Sequence, residues 1–183
     1  MSENIGRGAA RLLLALCLAA TAACSGKEEK DSIAPSTRSV EQLVPEIRER
    51  CEKVRRSLSA YRRVDRDVTG LSAEGGELTA YLDGDRVVWI AAALYGETGR
   101  SDQELCYDGG HLLSVARKES RYDQPMGKVA EVLEDRLYFR DGKLIRRSGA
   151  AGQPLPPVVE EERNVLNLSR RLLETAHPAG PPG

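Results

Sequence analysis

The sequence predicts an α+β domain: an antiparallel meander sheet of about six strands, packed with an N-terminal amphipathic helix and a C-terminal helix. Three observations predict it. Asp-Gly steps recur between apolar runs at Asp83-Gly84, Asp108-Gly109 and Asp141-Gly142, and such steps mark tight hairpins because their turns need positive φ. Upstream of them, apolar residues recur at steps of three and four, the helical period. A final stretch, 158–176, shows the same period, with acids at its start and bases further on, as the helix dipole favours.

The chain opens with a basic front, Arg7 and Arg11, then an apolar run from Leu12 to about Ala20, then small residues leading to Cys24. That order is the one of a secretory signal peptide. The run falls short of the ~20 apolar residues that a membrane-spanning helix needs, and Ser25-Gly26-Lys27-Glu28 ends it abruptly. Thr21-Ala22-Ala23-Cys24 resembles the lipobox of bacterial lipoproteins, departing from it at Thr21, where the family usually has Leu. The resemblance implies a leader of residues 1–23 removed by signal peptidase II, a diacylglyceryl group on the Cys24 thiol, and residence in the bacterial cell envelope. Ser25 replaces the Asp that favours the inner membrane in the enteric version of the family. The periplasmic face of the outer membrane therefore leads, with the inner membrane as the alternative. Two competing readings of the same leader are cleavage by signal peptidase I after Ala20-Thr21-Ala22 and a retained anchor helix.

The chain has 183 residues, 27 basic and 28 acidic, for a formal net charge of −1. Less the leader, this is enough for one domain with a modest core, expected over residues 40–176. The even charge balance gives no reason to expect nucleic acid as a partner. Cys17 leaves with the leader and Cys24 carries lipid, so Cys51 and Cys106 remain as an even pair in an oxidising compartment. A disulfide between them would staple a predicted helix to a predicted strand. The alternative is two buried, unlinked thiols.

Residues 24–39 are polar and charged and read as a flexible tether. Ser39-Val40-Glu41-Gln42 matches a capping box, although Pro45 suits a first helical turn and moves the expected start of the main helix towards it. From there Ile47, Cys51, Val54, Leu58, Tyr61 and Val64 form one stripe, predicting an amphipathic helix of about twenty residues. Glu46/Arg50, Glu49/Lys53 and Glu52/Arg56 are acid-before-base pairs four residues apart on its other side, each contributing about 0.3 kcal/mol. Gly70, Gly75 and Gly76 break the pattern.

A repeat of the form aromatic-x-x-Gly-x-x-aliphatic follows, starting at Tyr81, Tyr107 and Phe139. The copies resemble the hairpin repeats of MORN-type and related Tyr-x-x-Gly bacterial surface and antitoxin proteins, which implies a sheet built of successive hairpins. A generic meander yields the same pattern. The expected strand pairs are 77–82 with 86–95, 103–107 with 111–118, and 136–140 with 143–148. Gly96 to Ser101 and Ser120 to Gly127 are expected connections. Val87 to Leu94 is apolar at nearly every position and should be a central strand. Lys128 to Glu134 fits strand and helix equally. Pro154, Pro156 and Pro157 make an extended spacer before the last helix, and residues 177–183 are expected to be disordered.

The sequence carries no nucleophile elbow, phosphate-binding glycine loop, dinucleotide fingerprint or metal-ligand spacing. His111 and His177 are isolated, and Glu77, Asp83, Asp85, Glu104 and Asp108 gather near turns. No catalytic residue, cofactor or metal site is therefore expected. Arg55, Arg56, Arg62, Arg63 and Arg66 are read as a solvated face, with anionic headgroups or cell-wall polymers as the functional alternative. The leading expectation is a membrane-anchored envelope lipoprotein whose non-catalytic domain engages an envelope protein or cell-wall polymer through an apolar patch or open sheet edge. A carrier or sensor of a small apolar ligand would instead need a deep cavity lined by Trp89, Ile90 and Leu113. An unrecognised enzyme would need a cleft with paired carboxylates, or His111 beside an acid. For the anchor, Cys24→Ala is expected to move the protein from the detergent phase to the aqueous phase on phase separation. A wild-type chain already in the aqueous phase would remove the lipid from this account.

Overall fold

The computed structural model describes residues 38–156 and 158–177. The leader, Cys24, nearly all of the expected tether and the end of the expected tail lie outside the described residues. The elements are α1 (Val40–Arg56), a 3-10 turn (Leu58–Ala60), β1 (Arg62–Val68), β2 (Gly76–Asp83), β3 (Arg86–Gly96), β4 (Gly99–Asp108), β5 (His111–Tyr122), β6 (Val129–Arg140), β7 (Lys143–Gly149) and α2 (Glu161–Ala176). The strands form one sheet in chain order, every neighbouring pair antiparallel.

The meander and its two helices follow the expected class, with seven strands in place of about six. The additional strand is β1, taken from the end of the expected first helix. Val64 and Val68 are four residues apart, a spacing that keeps them on one face of either a helix or a strand. Pairing with β2 decides for strand, and both valines are buried. At its other end α1 begins before Pro45. The Ser39 amide donates to Gln42 Oε1 at 3.2 Å, and Leu43, Val44 and Ile47 are buried, which offsets the hydrogen bond lost at the proline. α2 starts three residues later than expected, at Glu161, with Glu160 left-handed at φ 66°. The expected connection at Gly96–Ser101 is itself a hairpin, Gly96 pairing with Gly99. The undecided stretch 128–134 is the first half of β6.

All three Asp-Gly sites are two-residue hairpin turns, with Asp83 opposite Arg86, Asp108 opposite His111 and Arg140 opposite Lys143. At the third, Asp141 and Gly142 both take positive φ, 51° and 74°, the geometry that matches the twist of the flanking strands. Counting back from the turns corrects the register of the repeat. The structural equivalents are Leu82, Tyr107 and Phe139, so the first sequence copy is offset by one residue. Each hairpin carries a bulge at the same place, between Tyr81 and Leu82, between Cys106 and Tyr107, and between Tyr138 and Phe139. Bulges bend a strand and increase its twist.

α2 covers one face by running across the strands. Its 16 residues span roughly 24 Å at about 1.5 Å per residue, against roughly 29 Å for seven strands side by side. Its first turn is bonded to β5 and β7, through Glu161 to Arg117 and Glu162 to Leu144, its middle to β4, through Ser169 to Tyr107, and its last turns reach Gly70, just beyond β1, through Arg171. Residues of β1 through β6 thus share one buried cluster with Val165, Leu172 and Ala176 of α2. The opposite face carries a row of register neighbours, Tyr81, Trp89, Cys106, Ser114, Tyr138 and Arg146. α1 lies on this row, burying Val44, Ile47 and Cys51 against Trp89, Cys106 and Tyr138.

Each helix is tied down by specific bonds. Cys51 and Cys106 form a disulfide with Cα atoms 5.8 Å apart, joining α1 to β4. Arg146 adds an ion pair to Glu41 at 2.8 Å. On the α2 side Arg117 bridges Asp135 at 2.7 Å and Glu161 at 2.9 Å, and Arg147 reaches Asp135 at 2.7 Å. Glu162 accepts the Leu144 amide at 2.8 Å, Tyr107 and Ser169 share a buried hydrogen bond of 2.9 Å, and Arg171 donates to the Gly70 carbonyl at 2.7 Å. The helix is thus held at its start, middle and end.

Two stability predictions follow from these ties. Replacing both bridged cysteines by Ser should lower unfolding free energy by about 4 kcal/mol, from the loop the bridge closes, and urea unfolding of the oxidised protein against the variant measures it. Asp135 is only 7% exposed. Burial pushes its pKa up, but hydrogen bonds from Arg117 and Arg147, with their charges, outweigh this and hold it below the ordinary carboxylate range. That contribution is fully present above the unfolded-state value of about 3.9 and is lost as pH falls through the lower folded-state value. Asp135→Asn should cost about 3 kcal/mol at neutral pH and flatten the acid limb of the stability curve. An acid limb parallel to the wild type would show that the network adds nothing.

Candidate interaction surface

The two sheet edges are built differently. β1, at one edge, reads Arg62-Arg63-Val64-Asp65-Arg66-Asp67-Val68, with only the valines buried. Charges along an outer strand discourage pairing with another chain. At the other edge β7 is short. Its last pairing to β6 joins Gly149 to Asp135, while β6 continues back to Val129 and pairs there only with β5. Residues 129–134 therefore have an open backbone edge, along which alternate residues present N–H and C=O groups outward.

This open segment is apolar where β1 is charged. Val132 and Leu133 are each 45% exposed, and Val129 and the nearby Met126 are exposed further. The acids within it are engaged sideways by β5: Glu131 pairs with Arg121 at 3.2 Å and Glu134 with Lys118 at 3.8 Å. Those bonds draw the negative charge inward from the edge. The β5–β6 loop is itself pinned, the Met126 amide donating to the Glu97 carbonyl at 2.8 Å, so the start of β6 is held in place.

The residues singled out from the sequence are placed as follows. Cys51 and Cys106 are brought together, as their disulfide. Cys24 lies outside the described residues. Trp89 and Ile90 lie on opposite faces of β3, Trp89 with Leu113 under α1 and Ile90 in the core under α2, so the three do not line one cavity. His111 is exposed opposite Asp108, but the Asp108 carboxylate pairs with Arg50. Glu77 accepts the Tyr95 hydroxyl at 2.7 Å, Asp85 is 3.9 Å from Arg62, and Asp83 ends β2. The five arginines are divided between the end of α1 and β1, where Arg55 pairs with Glu52 and Arg63 with Asp65. Among the described residues no group of three or more His, Cys, Asp and Glu side chains is placed to hold a metal, and no helix is long and apolar enough to cross a membrane. Compared with family models, with curated proteins and with solved structures, the chain finds no match.

The open edge was hidden in the sequence. Val129, Val132 and Leu133 are spaced by three and four from the first, a helical interval, because no buried face enforces alternation there. The length mismatch between an expected strand at 136–140 and an apolar run beginning at 129 was the available signal.

Proposed function

We propose that the chain is a lipid-anchored protein of the bacterial cell envelope whose domain works by binding. Its partner is an extended segment of another envelope protein, added as a further strand along residues 129–134 of β6. The observation that carries this reading is the contrast between a charged edge at β1 and an open, apolar edge at β6. Strand addition draws affinity from main-chain hydrogen bonds and specificity from alternate side chains, and β6 offers both. The Cys51–Cys106 disulfide supports export to an oxidising compartment, which agrees with the lipobox-like segment before Cys24. The tether between Cys24 and α1 would let the domain work away from the membrane that holds it.

Site-specific photo-crosslinking in cells tests the reading. A probe at Val132 is expected to trap a discrete protein partner, and the same probe at Asp65 on β1 is not. Leu133→Lys, at a half-exposed site, should abolish the cross-link at Val132 while shifting stability by no more than about 0.5 kcal/mol. Equal cross-linking from both edges, or none from Val132, overturns the proposal.

A further inference from the structure

The loop between β5 and β6 holds one residue in a backbone conformation that its side chain does not suit. Met126 is left-handed, at φ 56°. It follows Pro125, and the Gly127 amide donates to the Gln124 carbonyl at 2.9 Å, which closes a turn over residues 124–127. A proline followed by a left-handed residue is the pattern of a type II turn, whose third position Gly or Asn ordinarily fills. Methionine there is strained, because its Cβ crowds the following carbonyl. The other described non-Gly residues at positive φ are Asp141 and Glu160. Asp141 fills a hairpin position that favours Asp, and Glu160 is bonded into α2, its carbonyl accepting the Asn164 amide at 2.9 Å.

Nothing comparable offsets the strain at Met126. Its side chain is 77% exposed. Its amide donates to the Glu97 carbonyl at 2.8 Å, a bond that Gly or Asn would make equally. The loop around it is fixed. The Asp123 amide donates to the Lys128 carbonyl at 2.9 Å, the Lys128 amide returns to Asp123 Oδ1 at 2.9 Å, and a Cβ at Gly127 would collide with that carboxylate. The chain thus presents a large apolar side chain to solvent from a rigid base. Strain from which the fold gains nothing marks a position held for function. Placement gives the second observation. Of the large apolar side chains left exposed among the described residues, all but Val158 and Val159 fall between 126 and 133. Met126 stands just ahead of Val129, where the open edge of β6 begins.

We propose that Met126 is the anchor of the β6 interface and enters an apolar socket on the protein that adds its strand along 129–134. This rests on the strand-addition reading and narrows the partner: the added segment belongs to a folded protein, whose surface supplies the socket beyond the end of the strand. A lone extended peptide has no socket to offer. An unbranched, polarisable thioether fills irregular apolar pockets well, and a few such buried anchors carry most of an interface's affinity. A loop already fixed has little backbone freedom left to lose on binding. Glu97 and Asp123, both exposed, lie beside the Met126 backbone and would repel anionic headgroups, which favours a protein over a bilayer.

Photo-crosslinking of the full chain in cells tests the anchor. A diazirine probe at position 126 is expected to give a discrete protein adduct, of the same mass as the one from Val132, and the same probe at Asp85, an exposed turn residue, is not. With the probe at Val132, Met126→Asn should cut the adduct about ten-fold or more, while Met126→Leu should keep it within about three-fold. Met126→Asn should also raise the unfolding midpoint of the purified protein by about 2 °C, as the strain is relieved. A Val132 adduct undiminished by Met126→Asn overturns the anchor and leaves strand addition standing. An adduct from 126 with none from Val132 keeps the anchor and removes strand addition, and an adduct from neither removes both. A midpoint not raised by Met126→Asn shows that the fold itself uses the methionine. A lipid adduct from 126, or one with a second copy of the chain, gives it another occupant. Each of these overturns the proposal.

Discussion

An open seven-stranded sheet has two faces to cover, and this chain has two short helices with which to cover them. The solution lies in how each helix is laid. α2 runs across the strands, its start bonded to β5 and β7 and its end beside β1, so one helix of 16 residues shares a buried cluster with β1 through β6. On the other face the pairing register sets Tyr81, Trp89, Cys106 and Tyr138 in one row, and α1 covers that row. The bulge in each Asp-Gly hairpin, one residue before Leu82, Tyr107 or Phe139, adds local twist there.

The two helices are held by different chemistry for a physical reason. α2 buries an apolar side against the sheet, and among its polar ties the charged ones sit at its start, where Arg117, Arg147, Asp135 and Glu161 neutralise one another. Such a network adds little over an apolar replacement but is costly to break, so it specifies where the helix starts more than how strongly it binds. α1 packs on the smaller of the two buried clusters. A covalent bond to Cys106 adds to that smaller core, and it does so by restricting the unfolded chain. The disulfide is therefore placed where apolar burial is thinnest.

Much of this was legible in the sequence, and the exceptions share a cause. The helix stripe through Ile47 and Cys51, the hairpin turns and the apolar β3 were all readable, because each buries a defined face and burial imposes a period. The errors fall where burial is absent or ambiguous. Val64 and Val68 stand four apart, which a helix and a strand both permit. Val129, Val132 and Leu133 have no covered face, so nothing holds them to alternation. The repeat was misaligned by one residue because Tyr81 is aromatic, while the core position in that hairpin is Leu82.

The early end of β7 creates the open edge. The Gly149 amide donates to the Gln153 carbonyl at 2.9 Å and the Gly152 amide to the Gly149 carbonyl at 2.8 Å, so the chain folds back on itself at once instead of continuing beside β6. The returning segment pairs with β7, Pro154 opposite Ser148 and the Leu155 amide donating to the Arg147 carbonyl at 2.9 Å. Because β7 stops opposite Asp135, residues 129–134 lack a partner strand. A β7 extended by six residues would close that edge, so the open segment is the consequence of one local choice of backbone path.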